Sequence, residues 1–168
     1  MKKIIICIIA VAIIFQAACS HEKGLSRADL VFDAGEISIS LDSDIAPVLE
    51  VLGKSYSFSE APSCVYDGTD KIYTYDDLEI YTYPLNDKDL VDEIVLLTPR
   101  YSTNKGIKVG DTLSDIAEAY GKDYVREGDI ISYPLDNGDP QSPMIYFVTD
   151  GEYIISINYY SASNMIAD

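Results

Sequence analysis

The sequence predicts an α+β protein: two tandem units, each a helix followed by antiparallel strands, forming one shared sheet with the helices on one face. Three observations carry this expectation. Residues 106–124 (GIKVGDTLSDIAEAYGKDY) read as a short strand, an amphipathic helix and a glycine stop. Leu113, Ile116, Ala117 and Tyr120 fall at i, i+3, i+4 and i+7, one stripe of a helix. The same pattern occurs earlier, with Ile45, Val48, Leu49 and Leu52 as the stripe, which reads as a tandem repeat. After each helix the apolar period changes from 3.6 to 2, the period of strands.

Met1-Lys2-Lys3 is a basic start, and residues 4–15 are an unbroken apolar run too short for a comfortable membrane span, the form of a secretory leader. Ala17-Ala18-Cys19 ends it and resembles the lipobox of bacterial lipoproteins, in which the cysteine is lipidated and becomes the first mature residue. Gln16 stands where that pattern usually has an aliphatic residue. The resemblance implies a signal peptide over 1–18 and lipid on Cys19, with a tether over 19–35. An ordinary signal peptide or an uncleaved anchor are the other readings of these residues. All three place the rest of the chain outside the cytoplasmic membrane, and lipidation anchors it there. Of the three cysteines, Cys7 lies in the leader, so Cys64 is left alone unless an unlipidated Cys19 pairs with it. It is expected as a small buried apolar residue.

Residues 36–41 alternate Ile37, Ile39 and Leu41 against Ser38 and Ser40, a half-buried strand. The first helix follows over 45–52, with Asp44 as its cap and Pro47 tolerated in its first turn. Gly53-Lys54-Ser55-Tyr56 then answers Gly121-Lys122-Asp123-Tyr124, each glycine placed to close a helix. Strands are expected over 63–66, 71–75, 78–83 and 90–98, turned at Asp67-Gly68, Asp76-Asp77 and Asn86-Asp87-Lys88. Residues 99–105 link to the second helix, 113–120, with Thr112 as cap and Asp115 in capping-box register. Strands over 129–133, 144–149 and 153–160 complete the second unit. The units span 36–101 and 102–160, and 161–168 is expected to fray.

Thr103, Lys105-Gly106-Ile107, Val109-Gly110-Asp111-Thr112 and Tyr120-Gly121, echoed over residues 39–53, resemble the β-lactamase inhibitor protein family. They are also similar to small outer-membrane lipoproteins of the barrel-assembly machinery, which carry one such unit. The resemblance covers residues 36–160 and implies a sheet whose open face meets protein partners. The inhibitor is disulfide-bonded and contains Trp. This chain has no Trp and one spare cysteine, so the fold and binding face carry over rather than the inhibition.

The formal charge of −16 includes Lys2 and Lys3; without the leader it is −16 − 2 = −18. Such a chain repels nucleic acid. The one histidine is His21, in the tether, so the domain holds no Ser-His or Cys-His pair and no imidazole ligand. Asp76-Asp77 and Asp92-Glu93 read as solvated carboxylates, and Asp136-Asn137-Gly138-Asp139 as a turn rather than a calcium loop. No catalytic residue, cofactor or metal is expected, and the chain is not expected to be an enzyme.

The tyrosines carry the binding expectation. Tyr73 and Tyr75 share strand parity with Lys71 and Asp77, and Tyr81 and Tyr83 share it with Glu79. Tyr73, Tyr75, Tyr81 and Tyr83 are therefore expected as an exposed aromatic recognition patch. The other reading makes them the core, with Ile72 and Ile80 outward. The function expected is a non-enzymatic, lipid-anchored extracytoplasmic lipoprotein that binds an envelope or extracellular protein, or cell-wall material, through this face. The alternative is a structural or assembly lipoprotein of a membrane complex.

Overall fold

Period-two alternation in most segments between residues 69 and 160, outside the helix at 113–120, makes strands the dominant element of this chain. The computed structural model describes residues 24–165, so Cys19, its leader and His21 lie outside the described residues. A small hairpin comes first, β1 (Val31–Asp33) with β2 (Ser38–Ser40), followed by α1 (Ala46–Leu52). Then come β3 (Ser57–Pro62), β4 (Thr69–Thr74), β5 (Leu78–Leu85) and β6 (Lys88–Leu96). After α2 (Leu113–Tyr120) follow β7 (Val125–Glu127), β8 (Ile130–Pro134), β9 (Met144–Thr149) and β10 (Ile154–Tyr160). The last eight strands form one antiparallel sheet in the order β3-β4-β5-β6-β10-β9-β8-β7.

This corrects the expected α+β class. Strand accounts for 43% of the described residues and helix for 13%, and one large sheet replaces two helix-then-strand units with helices on one face. The reason is length. The helices have 7 and 8 residues, about two turns each, too short to form a layer over eight strands. They act as plugs for the core.

Strand registers line up the core in rows across one sheet face. One row runs Tyr73, Ile80, Ile94, Tyr159, Ile145 and Tyr133 from β4 to β8. All six are at most 6% exposed. Against this face pack Phe32 and Ile39 of the small hairpin, Ile45 and Val48 around α1, and Ile116 and Tyr120 of α2.

The ends of α2 follow the sequence closely, whereas the N-cap of α1 is Ile45, without a side-chain cap, and not the expected Asp44. Thr112 caps α2, accepting from the Asp115 N–H at 3.3 Å, while Asp115 accepts from the Thr112 N–H at 2.8 Å. Asp44 accepts from the Ala46 N–H at 3.0 Å. Gly53 and Gly121 follow the two helices at φ +79° and +94°.

Other expectations fail locally. The strand placed over 63–66 is a loop, and the chain pairs instead over Ser57–Pro62. That edge strand is exposed along its whole length, so burial imposes no alternation for a sequence reading to find. The three-residue β7 escaped notice for the same reason. Cys64, expected buried, is exposed in that loop. The segment 161–165, expected to fray, is held: Ser161 Oγ donates to Asp92 at 2.7 Å, and the Tyr66 hydroxyl donates to the Ser163 carbonyl at 2.9 Å.

Candidate binding face of the sheet

The registers that fix the core row also fix the opposite face. Ile72, Tyr81, Glu93, Tyr160 and Met144 form one row there, from β4 to β9. Thr74, Glu79, Val95, Asn158 and Tyr146 form the next. Glu93 thus stands near the centre of the sheet, flanked by Tyr81 on β5 and Tyr160 on β10. The Tyr146 hydroxyl donates to Glu93 Oε1. The Tyr81 hydroxyl donates to Glu79 Oε2 at 2.9 Å, and Thr74 Oγ1 donates to Glu79 Oε1 at 3.2 Å. The three tyrosines and two glutamates are all partly exposed. Beyond them the same face carries an aliphatic fringe: Val125 is 47% exposed, Ile130 39%, and the bulged Ile155 51%.

Burial sets the electrostatics. It pushes the Glu93 carboxyl above the usual carboxylate range; the Asp92 and Glu79 charges add to this and the Tyr146 bond opposes it. Tyr81 is pushed up to about 12, by burial first and then by its bond to Glu79. Asp92 is also raised, mainly by burial. These two carboxylates were expected to be solvated, and the fold decides otherwise. Tyr81 faces Glu93 but Thr82 faces Val91, so Asp92 is the extra residue of a β-bulge. The bulge turns Asp92 toward the segment 161–165, where it is 9% exposed.

A cavity of about 230 Å³ opens beside Tyr81, lined among others by Asp70, Ile72, Thr82, Asp92 and Asn164. Asp70 Oδ1, Thr82 Oγ1 and Asn164 Oδ1 are buried with no hydrogen-bond partner among the described residues. No group of three or more His, Cys, Asp or Glu side chains among the described residues is placed to hold a metal ion.

The four tyrosines expected as one patch are divided between the faces. Odd-numbered residues of β4 pair with even-numbered residues of β5, as Tyr73 with Ile80 and Ile72 with Tyr81. Tyr73 is therefore core, 6% exposed, with the Tyr56 and Phe58 rings 5.2 and 5.3 Å from its own. Tyr75 lies on the same side, its hydroxyl donating to the Gly53 carbonyl at 3.0 Å. Tyr81 is on the open face. Tyr83 shares its parity but is 3% exposed, stacked on Tyr66 at 5.1 Å and bonded to Asp42 at 2.9 Å. The charges that suggested a solvated face are neutralised locally. Lys71 pairs with Asp89 at 2.6 Å, and Asp77, in the turn, pairs with Arg100 at 2.8 Å.

Sequence reasoning missed Glu79, Glu93, Tyr146 and Tyr160. Their alternation with Ile80, Ile94, Ile145 and Tyr159 was a usable signal, but only the register says that they meet. No family model matches the chain, and no curated protein or solved structure gives a significant match. The resemblance carried by Thr103 to Gly121 therefore rests on the sequence alone.

Proposed function

We propose that this chain is a non-catalytic, lipid-anchored protein of the bacterial cell envelope that binds another protein through the open sheet face. The observation that carries the reading is the row of Tyr81, Glu93 and Tyr160, with Tyr146 and Glu79 beside it, on the side of the sheet away from the core. Tyrosine offers large contact area for little lost rotamer freedom, and partly buried carboxylates give orientation. The aliphatic fringe gives the face an apolar margin of the kind found at protein-binding surfaces. The leader and Ala17-Ala18-Cys19 supply the anchor, and residues 20–23 the start of a tether. The inhibitor-like motif supports the reading, since members of that family use an open sheet face.

The test is a photo-crosslinking amino acid at position 160 in the full chain, with position 51 near the end of α1 as the control. One discrete adduct from 160 and none from 51 is expected. Equal adducts from both positions, or none from 160, would remove the face from consideration. Mass spectrometry of the membrane-extracted chain should find diacylglycerol on Cys19, and Cys19→Ala should release it. Release without that modification in the parent chain would refute the anchor.

A further inference from the structure

We propose that the cavity beside Tyr81 receives an arginine side chain of the protein partner, which rests on the binding-face reading above and names the chemistry at its centre. Two buried oxygens without a partner among the described residues, Asp70 Oδ1 and Asn164 Oδ1, belong to residues that line one cavity. Buried acceptors left unpaired are costly, and natural folds rarely leave several together. What these oxygens lack is donors.

The charge of the surroundings selects among donors. Glu60, Asp70 and Asp92 line the cavity, and its one basic residue, Lys71, already pairs with Asp89 at 2.6 Å. The Asp42 and Asp70 charges both act to raise the Asp92 carboxyl, after burial itself. A neutral amide would supply donors but leave this negative field unanswered. A guanidinium supplies five donors in a planar fork and a permanent charge. A cavity of about 230 Å³ accommodates it with part of its alkyl stem. Ile72 and the Tyr81 ring give the stem an apolar wall, and the ring face favours a cation.

The occupant belongs to a protein rather than arriving as a free cation because the cavity opens on the sheet face beside Tyr81. Val125, Ile130 and Ile155, exposed toward the far side of the same face, offer a protein partner apolar surface to cover. Charge complementarity gives the partner its sign: the chain carries a formal −16. A basic partner is steered to it before contact.

Panning a random 12-residue displayed peptide library against the full mature chain tests this. Selected peptides should share an arginine. Replacing that arginine by citrulline, its uncharged near-isostere, should weaken binding about tenfold or more. Asp70→Asn in the protein should do the same, and so should Asn164→Ala, which leaves the Ser161 and Ser163 contacts of that segment in place. Peptides that lose binding in Tyr160→Ala yet carry no arginine, or ignore citrulline and both cavity variants, would overturn the arginine site and leave the binding face standing. Peptides indifferent to Tyr160→Ala as well, or no selected peptides, would sink both. A thermal shift with calcium chloride alone that Asp70→Asn abolishes would make the cavity a metal site and overturn the inference.

Discussion

Gly53 and Gly121 show how single residues set this structure. Each ends a helix with positive φ and extended ψ, +79°/−176° and +94°/−174°, a region that residues with a Cβ almost never occupy. Each then exposes its carbonyl to a tyrosine of the sheet: Tyr75 donates to Gly53 at 3.0 Å and Tyr133 to Gly121 at 2.8 Å. The tyrosine three residues after each glycine packs on the same partner, Tyr56 at 5.4 Å from Tyr75 and Tyr124 at 5.9 Å from Tyr133. A Cβ at Gly53 would meet nothing within 4 Å, so its substitution isolates the backbone term. Gly53→Ala should cost about 1–3 kcal/mol in chemical unfolding. An unchanged midpoint would show that the positive φ is not required.

The β4–β5 hairpin decides at the element scale which tyrosines are structural. Its turn bonds the Tyr75 N–H to the Leu78 carbonyl at 2.9 Å. That closure sets Tyr73 opposite Ile80 and sends Tyr81 to the other face. Moving the register by one residue would exchange every side chain between core and solvent. Tyr73→Ala should therefore cost about 3–5 kcal/mol, as deletion of a core aromatic does. Tyr81→Ala, partly exposed and bonded only to Glu79, should cost about 1 kcal/mol. Equal losses in thermal unfolding would contradict the division of the hairpin into a core side and an open side.

Acidity governs the whole molecule, and its pH dependence has two opposed parts. Burial raises Asp92 and Glu93 above their ordinary range. The folded state therefore binds protons more readily there than the unfolded chain, and stability rises as pH falls into the window just above that range. Asp44, Asp77, Asp115 and Asp150 are held below their ordinary value. The leading causes are the Ala46 N–H for Asp44, the Thr98 hydroxyl for Asp77, the Thr112 hydroxyl for Asp115 and the Tyr153 N–H for Asp150. Their contribution is present above the ordinary Asp value and is lost as pH falls through the depressed one. The denaturation midpoint should rise from pH ~7 to ~5 and fall below about 4. Glu93→Gln should flatten the rise and keep an acceptor for Tyr146. A midpoint that falls monotonically from neutrality would refute the buried-carboxylate account.

The sequence by itself determined whatever depends on near neighbours. Thr112 and Asp115 lie three apart, so their capping box was legible, and so were the glycine stops after each helix stripe. Most strands showed because burying one face forces alternation. Edge strand β3 did not show, because nothing buries it. Tertiary structure alone decided which residues face each other across strands. Parity along β4 and β5 says that Tyr73 and Tyr75 share a side, and that Tyr81 and Tyr83 do. It cannot relate the two pairs, because the turn and its register set their relative phase. The bulge at Asp92 is a property of two strands pairing out of step, and the segment 161–165 that covers it arrives from the far end of the chain. The rows that place Glu93 between Tyr81 and Tyr160 are made by hydrogen bonds between distant segments, and no local pattern encodes them.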